Sequence, residues 1–225
     1  MNEPGSLLKR SCVFSWLAES DMDLMARQAT TRQYAKNETV IFYGDVWPYL
    51  LLIESGSVDA VKESGEGRSL MVNTFLAGDL FWGLAFFQED ALMPVTLEAR
   101  EASRLHLWSR ETMEPILARN GRAGWELCRL MAGRMQRASD ILEGLAFQPV
   151  AKRLARLLLD HFEQAGDAAI SRRLTLDEMA ARIGSTREMV CRALYGFSDK
   201  KLIEVTRAEF VLTDRKGLAQ LVARA

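Results

Sequence analysis

The middle of the chain alternates short apolar runs with turns rich in glycine and aspartate, a pattern typical of β structure. Between residues 34 and 108 these runs predict six strands: Glu38 to Tyr43, Tyr49 to Glu54, Ser57 to Lys62, Ser69 to Phe75, Val95 to Ala99 and Arg104 to Trp108. Turns such as Ser55-Gly56-Ser57 and Ala77-Gly78-Asp79 separate them, because glycine reaches the positive φ angles of tight turns without strain. Many short strands joined in this way predict a sandwich or barrel.

Helical spacing of apolar residues flanks this region on both sides. Val13 to Arg27 predicts one or two short helices, and Glu111 to Arg119 predicts another. A long helix then follows and ends at about Phe147. Six of its residues are spaced 3, 4, 3, 4, 3, which is the a/d pattern of a two-stranded coiled coil: Cys128, Met131, Met135, Ala138, Leu142 and Leu145. We call these residues the seam; they predict a parallel homodimer, and a helix packed on its own sheet is the alternative.

A domain boundary is predicted where the long helix stops. In Phe147-Gln148-Pro149 the proline removes a backbone donor and suits the first turn of a new helix, which runs from Val150 to Gln164 and ends at Gly166. We therefore predict three parts: a β domain over residues 1–110, a dimerisation helix over 111–147 and a smaller second domain over 148–225.

The second domain contains two short helices with capping signals. Thr175 and Glu178 form a capping box before a helix from Leu176 to Ile183, and Ser185 and Glu188 form a second box before a helix that ends at about Lys200. Gly184 turns the chain between them, which predicts a helix-turn-helix. Five apolar residues would pack the two helices together: Met179, Ala180, Ile183, Val190 and Leu194.

The residues after this pair predict a wing. Leu202 to Val205 and Glu209 to Leu212 form two strands around Thr206-Arg207-Ala208. The motif is therefore a winged helix, with Arg187, Glu188 and Arg192 pointing outward from its second helix.

Charge and cysteine content change this picture only slightly. The net charge is −1, but residues from 148 onward contain 14 Lys and Arg against 10 Asp and Glu, which leaves −5 on the first 147 residues. A basic second half favours a polyanionic partner. Cys12, Cys128 and Cys191 are too far apart in sequence for a disulfide framework or a metal knuckle, which favours a reducing cytoplasm.

Other classes of protein lack support in the sequence. The N-terminal residues show no secretion signal, and no apolar run approaches the ~20 residues of a membrane span. Neither a nucleophile with a placed histidine nor a metal-ligand cluster is evident, so we expect no enzyme and no resident cofactor.

Over nearly the whole chain, these features resemble the Crp/Fnr-type transcription regulators. Gly56, Gly78-Asp79 and the run from Leu80 to Phe87 are similar to the sensor domain of that family, Leu145-Ala146-Phe147 resembles the end of its dimer helix, and Gly184 to Leu194 is similar to its recognition helix. The resemblance implies an α+β protein with a β-roll sensor domain, a long dimerisation helix and a winged helix-turn-helix. It also implies a homodimer that binds a pseudo-palindromic site on double-stranded DNA and has RNA polymerase as a partner.

The resemblance assigns roles to residues of the helix-turn-helix. Arg187 and Arg192 would reach guanine O6 and N7, and Glu188 would accept a hydrogen bond from cytosine N4. An ordinary surface ion pair between Glu188 and Arg192 is the alternative. Contacts with the DNA backbone would come from five more residues: Ser185, Thr186, Lys200, Lys201 and Arg207.

The sensor site departs from the pattern of the cyclic-AMP-binding members. Those members have a Gly-Glu pair for the ribose and an Arg-Ser pair for the cyclic phosphate, where this chain has Trp82-Gly83 and Met93-Pro94. On the dimer helix, Ala138-Ser139 replaces their Thr-Ser pair. Because a buried phosphate without its arginine is strongly unfavourable, we expect no response to cyclic AMP. The candidate effector pocket is composed of six residues: Trp82, Gly83, Leu84, Met93, Ala138 and Ser139.

The signal itself stays open at this point. The pocket would hold an apolar ligand, or would be filled by side chains of the protein itself. Haem would need His106 or His161 as its axial ligand, and a thiol sensor would need Cys12 or Cys191. A β-roll that controls an enzyme partner is the alternative from another class.

Overall fold

The computed structural model of this protein describes residues 3–165, 169–171, 174–206 and 209–223. The chain forms two compact units, which divide inside one long helix. The first comprises Met1–Lys62 and Val72–Arg137, and the second comprises Glu63–Met71 and Ala138–Ala225.

The first unit is a β structure flanked by helices. Its elements, with two short 3-10 helices at Phe14–Trp16 and Leu84–Phe86, are as follows: α1 (Glu3–Arg10), α2 (Glu19–Gln28), β1 (Thr30–Tyr34), β2 (Thr39–Ile41), β3 (Tyr49–Ser55), β4 (Ser57–Glu63), β5 (Ser69–Leu76), β6 (Leu80–Trp82), β7 (Thr96–Ala99), β8 (Ser103–Ser109), α3 (Arg110–Arg119) and the first part of α4 (Gly121–Phe147).

Two four-stranded sheets form this unit, with strand orders β1-β8-β3-β6 and β2-β7-β4-β5. Strand β3 is buried on both faces, which explains its unbroken apolar run. Leu50 and Leu52 pack toward the helices in one core, whereas Leu51 and Ile53 lie in a second core together with residues of the other sheet. This alternation follows from the two-residue period of side chains along a strand.

Some elements of the first unit differ from the sequence prediction. The strand predicted from Glu38 to Tyr43 is shorter, because Gly44 at φ +86 and the bond from Asp45 N–H to the Phe42 carbonyl form a turn. The helical stretch predicted from Val13 to Arg27 divides into the first 3-10 helix and α2. Strand β1 and helix α1 were not predicted, and four of the five residues of β1 are exposed.

The second unit is a small α+β structure that includes the end of α4. Its further elements are as follows: α5 (Val150–Ala165), β9 (Ala169–Ser171), α6 (Leu176–Ile183), α7 (Arg187–Asp199), β10 (Ile203–Val205), β11 (Glu209–Leu212) and α8 (Arg215–Ala223). The strands pair in the order β10-β11-β9, so the predicted two-stranded wing gains a third strand. The core contains Leu154, Leu158 and Phe162 of α5 together with residues of α6 and α7.

The predicted fold class is confirmed: a β domain, a long helix and a winged helix-turn-helix follow one another. No helix among the described residues is long and apolar enough to cross a membrane. The predicted helix end at Gly166 and residue Arg207 of the wing lie outside the described residues.

Candidate nucleic-acid interface

A side-chain cap begins each of α6 and α7, and a glycine turn connects the two helices. The Thr175 hydroxyl accepts a hydrogen bond from Glu178 N–H at 3.1 Å, as the first capping box predicts. Gly184 ends α6 in the left-handed region at φ 60°, where glycine is favoured. The prediction that Ser185 caps α7 is wrong, since Thr186 does so by accepting from Met189 N–H at 3.3 Å. Ser185 instead belongs to the turn, where its N–H donates to the Ala180 carbonyl.

The two faces of α7 have opposite character. Val190, Leu194 and Phe197 are buried against the rest of the second unit. Arg187, Glu188 and Arg192, the predicted base-reading residues, are exposed near the start of the helix. The helix thus presents a polar face on an apolar support, as reading DNA in a major groove requires.

The side chains that are predicted to read bases form exposed ion pairs in the free protein. Arg192 Nη2 lies 2.7 Å from Glu188 Oε1, which is the surface ion pair considered above, and Arg187 Nη1 lies 3.1 Å from Asp177 Oδ2. All four side chains are about two-thirds exposed or more. Because exposed pairs of this kind contribute ~0–1 kcal/mol, little is lost when the groups turn to another partner.

The candidate backbone-contact residues lie at opposite ends of α7. Ser185 and Thr186 precede the helix, whereas the exposed Lys200 and Lys201 follow its last turn, roughly 20 Å away along the axis. Tyr195 was missed by the sequence analysis; it is 70% exposed and follows Arg192 by three residues, on the same side of the helix. That spacing in the sequence could have identified it.

The seam forms an exposed apolar row along α4. Met135 is 75% and Leu142 is 67% exposed, Met131 is 39% exposed, and Cys128 and Ala138 are also exposed. Leu145 is half-buried. Exposed large apolar residues at coiled-coil spacing are unusual on a surface that faces water only.

Two residues of the candidate effector pocket, Trp82 and Met93, lie in different cores of the first unit. Met93 is 1% exposed in the core between the sheets, whereas Trp82 belongs to the core between one sheet and the helices. Leu84 is 43% exposed, and Ala138 and Ser139 are exposed on α4. Trp82 and Met93, which stand where the cyclic-AMP-binding pattern has its Gly-Glu and Arg-Ser pairs, are therefore packed in the cores of the β domain.

Gly83 occupies a position with no room for a side chain. A Cβ built on it would lie 1.9 Å from the Trp47 carbonyl oxygen. A glutamate at this position would require the backbone of Trp47 to move.

An arginine missed by the sequence analysis lies against Trp82. The Arg134 guanidinium carbon is 4.1 Å from the Trp82 ring centre and 5.0 Å from that of Phe75, and Nη2 donates to the Leu80 carbonyl. Its Nε is buried with no hydrogen-bond acceptor among the described residues. Burial lowers the pKa of Arg134 to about 10, against the charge of Asp79, which raises it.

Both histidines lie within hydrogen-bonding distance of other groups of the protein. His106 is fully buried, with Nε2 2.6 Å from Glu54 Oε2 and Nδ1 2.9 Å from the Thr31 hydroxyl. Nδ1 of His161 lies 3.0 Å from the Leu157 carbonyl of its own helix. Among the described residues no group of three or more His, Cys, Asp or Glu is placed to hold a metal ion. Cys12 and Cys128 are exposed and Cys191 is partly buried.

Two known domain families match the chain in sequence. The family described as Cyclic nucleotide-binding domain matches residues 31–120, and the Crp-like helix-turn-helix domain matches residues 152–221. The first match covers the strands of the β domain, and the second covers the capped helices and the wing.

Characterised regulators resemble the chain over most of its length. The CRP-like cAMP-activated global transcriptional regulator of Mycobacterium tuberculosis is 24% identical over 95% of this chain and 97% of its own. The cAMP-activated global transcriptional regulator Vfr of Pseudomonas aeruginosa is 27% identical over 82% and 89%. The solved structure of the c-di-GMP responsive global regulator CLP of Xanthomonas campestris has the same fold, with a TM-score of 0.76 and 22% identity over 87% and 99%. Because a cyclic nucleotide-binding domain and a Crp-like helix-turn-helix domain both match this chain, and a CRP-like regulator matches it over nearly its full length, this protein belongs to the Crp/Fnr family of transcription regulators.

Proposed function

We propose that this protein is a homodimeric regulator that reads a pseudo-palindromic DNA site through α7 and does not depend on cyclic AMP. The observation that carries the proposal is the polar face of α7, with Arg187, Glu188 and Arg192 exposed above a buried apolar face. The helix starts at a side-chain cap and follows α6 through a short glycine turn, so its orientation is set by the domain.

The three side chains suit direct base readout. An arginine can donate two hydrogen bonds to guanine O6 and N7, and Glu188 can accept one from cytosine N4. We expect half-sites with a TGA-like core, their centres about one helical turn apart. The ion pairs of the free protein would be exchanged for these contacts.

Phosphates would be held at both ends of α7. Ser185 and Thr186 at the start, Lys200 and Lys201 at the end, and Tyr195 between them would contact the DNA backbone; Arg207 stays a candidate for the same role. Such contacts fix the register of the protein and carry no base preference.

Dimerisation would place two such helices on one face of the DNA. The seam supplies apolar a and d positions along α4, and pairing two copies would cover side chains that are exposed in the single chain. RNA polymerase is the expected partner at a promoter, in the cytoplasm.

The independence from cyclic AMP rests on the β domain. Met93 and Pro94 offer no charge to a phosphate, Gly83 has no room for a carboxylate, and the Arg134 guanidinium already lies on Trp82. Loss of a buried charge-assisted pair costs several kcal/mol, so a micromolar site would become millimolar or weaker. The signal is therefore something other than cyclic AMP, or DNA binding is constitutive.

Selection of bound duplexes from a random pool by the purified protein, with and without cyclic AMP, tests the proposal. We expect enrichment of a two-fold-related site in both pools and none with an Arg187→Ala, Arg192→Ala control. A protein that enriches no sequence would contradict DNA readout. Saturable micromolar binding of cyclic AMP in isothermal titration, with a matching gain in DNA affinity, would contradict the independence from that nucleotide.

A further inference from the structure

Arg153, in the first turns of α5, contacts the C-terminal ends of two other helices. Its Nη1 donates to the Gly144 carbonyl at 3.2 Å and to the Gln148 carbonyl, both at the end of α4. Its Nε donates to the Ile183 carbonyl at 2.8 Å and its Nη2 to the Gly184 carbonyl at 3.4 Å, both at the end of α6. One side chain thus joins α4 to the turn that leads into α7.

The chemistry of these contacts explains why an arginine is needed. The last carbonyls of a helix lack partners within the helix and carry the negative end of its dipole, so a cation with several donors suits them. The planar guanidinium presents donors in three directions, whereas a lysine ammonium acts as a single point. No carboxylate among the described residues forms an ion pair with Arg153, and partial burial lowers its pKa. Its bonds are therefore to the backbone of the two helix ends.

Close packing leaves little free space where the end of α4 meets the turn before α7. A Cβ on Gly184 would lie 2.4 Å from Leu145 Cδ2 and 3.2 Å from Leu70 Cδ1. The side chain of Leu145, a seam residue, therefore lies directly against the turn before α7. A shift of the last turn of α4 has to move this turn or break the contacts of Arg153.

We propose that Arg153 is a positioning residue that sets the direction of α7 relative to the end of α4, and thereby the separation of the two recognition helices in the dimer. This proposal rests on the proposed function, since the separation matters only for a two-part site. A DNA site with the wrong spacing between its half-sites is rejected because α7 cannot turn freely to meet it.

The test compares Arg153→Lys with Arg156→Lys as the matched control. Arg156 is exposed one turn further along α5. Like Arg153 it lines a cavity of about 280 Å³, but it makes none of the carbonyl contacts. Fluorescence anisotropy would measure binding to the selected duplex, to duplexes with the spacing shortened or lengthened by one base pair, and to a single half-site. Arg153→Gln, whose side-chain amide retains two hydrogen-bond donors, is the second variant. Circular dichroism would check that each variant is folded.

For Arg153→Lys we expect about tenfold weaker binding to the selected duplex and a spacing preference reduced to about twofold, with half-site binding unchanged. Arg156→Lys should behave as the wild type. An unaltered spacing preference in both folded Arg153 variants, or an equal loss on all four duplexes, would overturn the proposal.

A measurement without DNA separates this inference from the proposed function. Hydrogen exchange of the Gly184 and Ser185 amides should be faster in Arg153→Lys than in Arg156→Lys, because the turn loses its support. If the wild type binds no duplex, the proposed function fails, and equal exchange in both variants would show separately that Arg153 does not hold the turn.

Discussion

The carboxylate of Asp21 in α2 accepts a hydrogen bond from the side-chain amide of Asn120, at 3.0 Å. Asn120 lies between α3 and α4, and the neighbouring Arg119 also donates to Asp21 through both Nε and Nη2. A buried acid near the N-terminus of the chain is thus tied to the start of the long helix.

This relationship predicts a pH-dependent stability. The hydrogen bond from Arg119, followed by that from Asn120, lowers the pKa of Asp21, although burial opposes the shift. A carboxyl whose pKa is lower in the folded state stabilises that state at pH values above its unfolded pKa of ~3.9, and this contribution is lost as the pH falls through the folded value. Asp21→Asn should therefore reduce the free energy of unfolding at pH 7 by ~1–2 kcal/mol.

Urea unfolding between pH 3 and pH 7.5 measures this effect. The difference between wild type and Asp21→Asn should narrow on acidification, whereas Asp23→Asn, at an exposed position of α2, should match the wild type throughout. A constant difference at all pH values would show that the charge of Asp21 is not responsible.

Arg134 stacks on Trp82, so replacing it by alanine should leave a cavity that accepts a small cation. Arg134→Ala should lower the free energy of unfolding by ~2 kcal/mol, since a partly desolvated cation–π contact is lost. Ethylguanidinium should raise the melting temperature of this variant above that of the variant alone, and should not do so for the wild type. Arg137→Ala, at an exposed position one turn later, is the control. Equal effects of the cation on all three proteins would contradict a specific site.

The exposed seam predicts dimerisation through α4. Met135→Glu would place two like charges at facing a positions and should yield monomers that bind DNA weakly. Gly133→Glu introduces the same charge two residues earlier, where a side chain meets only open space, and should leave the dimer intact. Sedimentation velocity distinguishes these outcomes; an intact Met135→Glu dimer would place the interface elsewhere.

The two ends of α7 should contribute differently to DNA binding. Arg192→Ala should cost ~1–3 kcal/mol on the selected site and relax the preference at one guanine. Lys201→Gln should weaken binding to all sequences alike and reduce its salt dependence. Titrations with base-substituted duplexes at several salt concentrations provide the measurement. The same uniform loss in both variants would exclude base readout by Arg192.

Local chemistry explains which parts of the fold were predictable. The helix from Leu176 to Ile183 has the predicted bounds because Thr175 and Gly184 supply a cap and a left-handed turn within a few residues of it. The cap of α7 was misplaced because Ser185 and Thr186 carry the same hydroxyl chemistry. The Schellman-type turn around Gly184 includes Ser185, whose N–H donates to the Ala180 carbonyl, so the helix begins one residue later and Thr186 caps it.

Contacts between segments that are distant in sequence explain the features that could not be predicted. Strand β1 has an almost entirely polar sequence and exists because it pairs with β8, more than sixty residues later. Arg134 and Arg153 read in the sequence as ordinary charged residues of helices. Their roles come from a tryptophan, a phenylalanine and five backbone carbonyls that only the folded chain brings to them.

Dimerisation through the apolar row of α4 would make protein abundance a signal in its own right. While most chains are single, mass action makes the concentration of dimers grow with the square of the number of chains. A two-part DNA site would then respond to a modest rise in synthesis with a steeper rise in occupancy. A regulator with these properties would change transcription more steeply than its own abundance changes, without any small molecule entering its β domain.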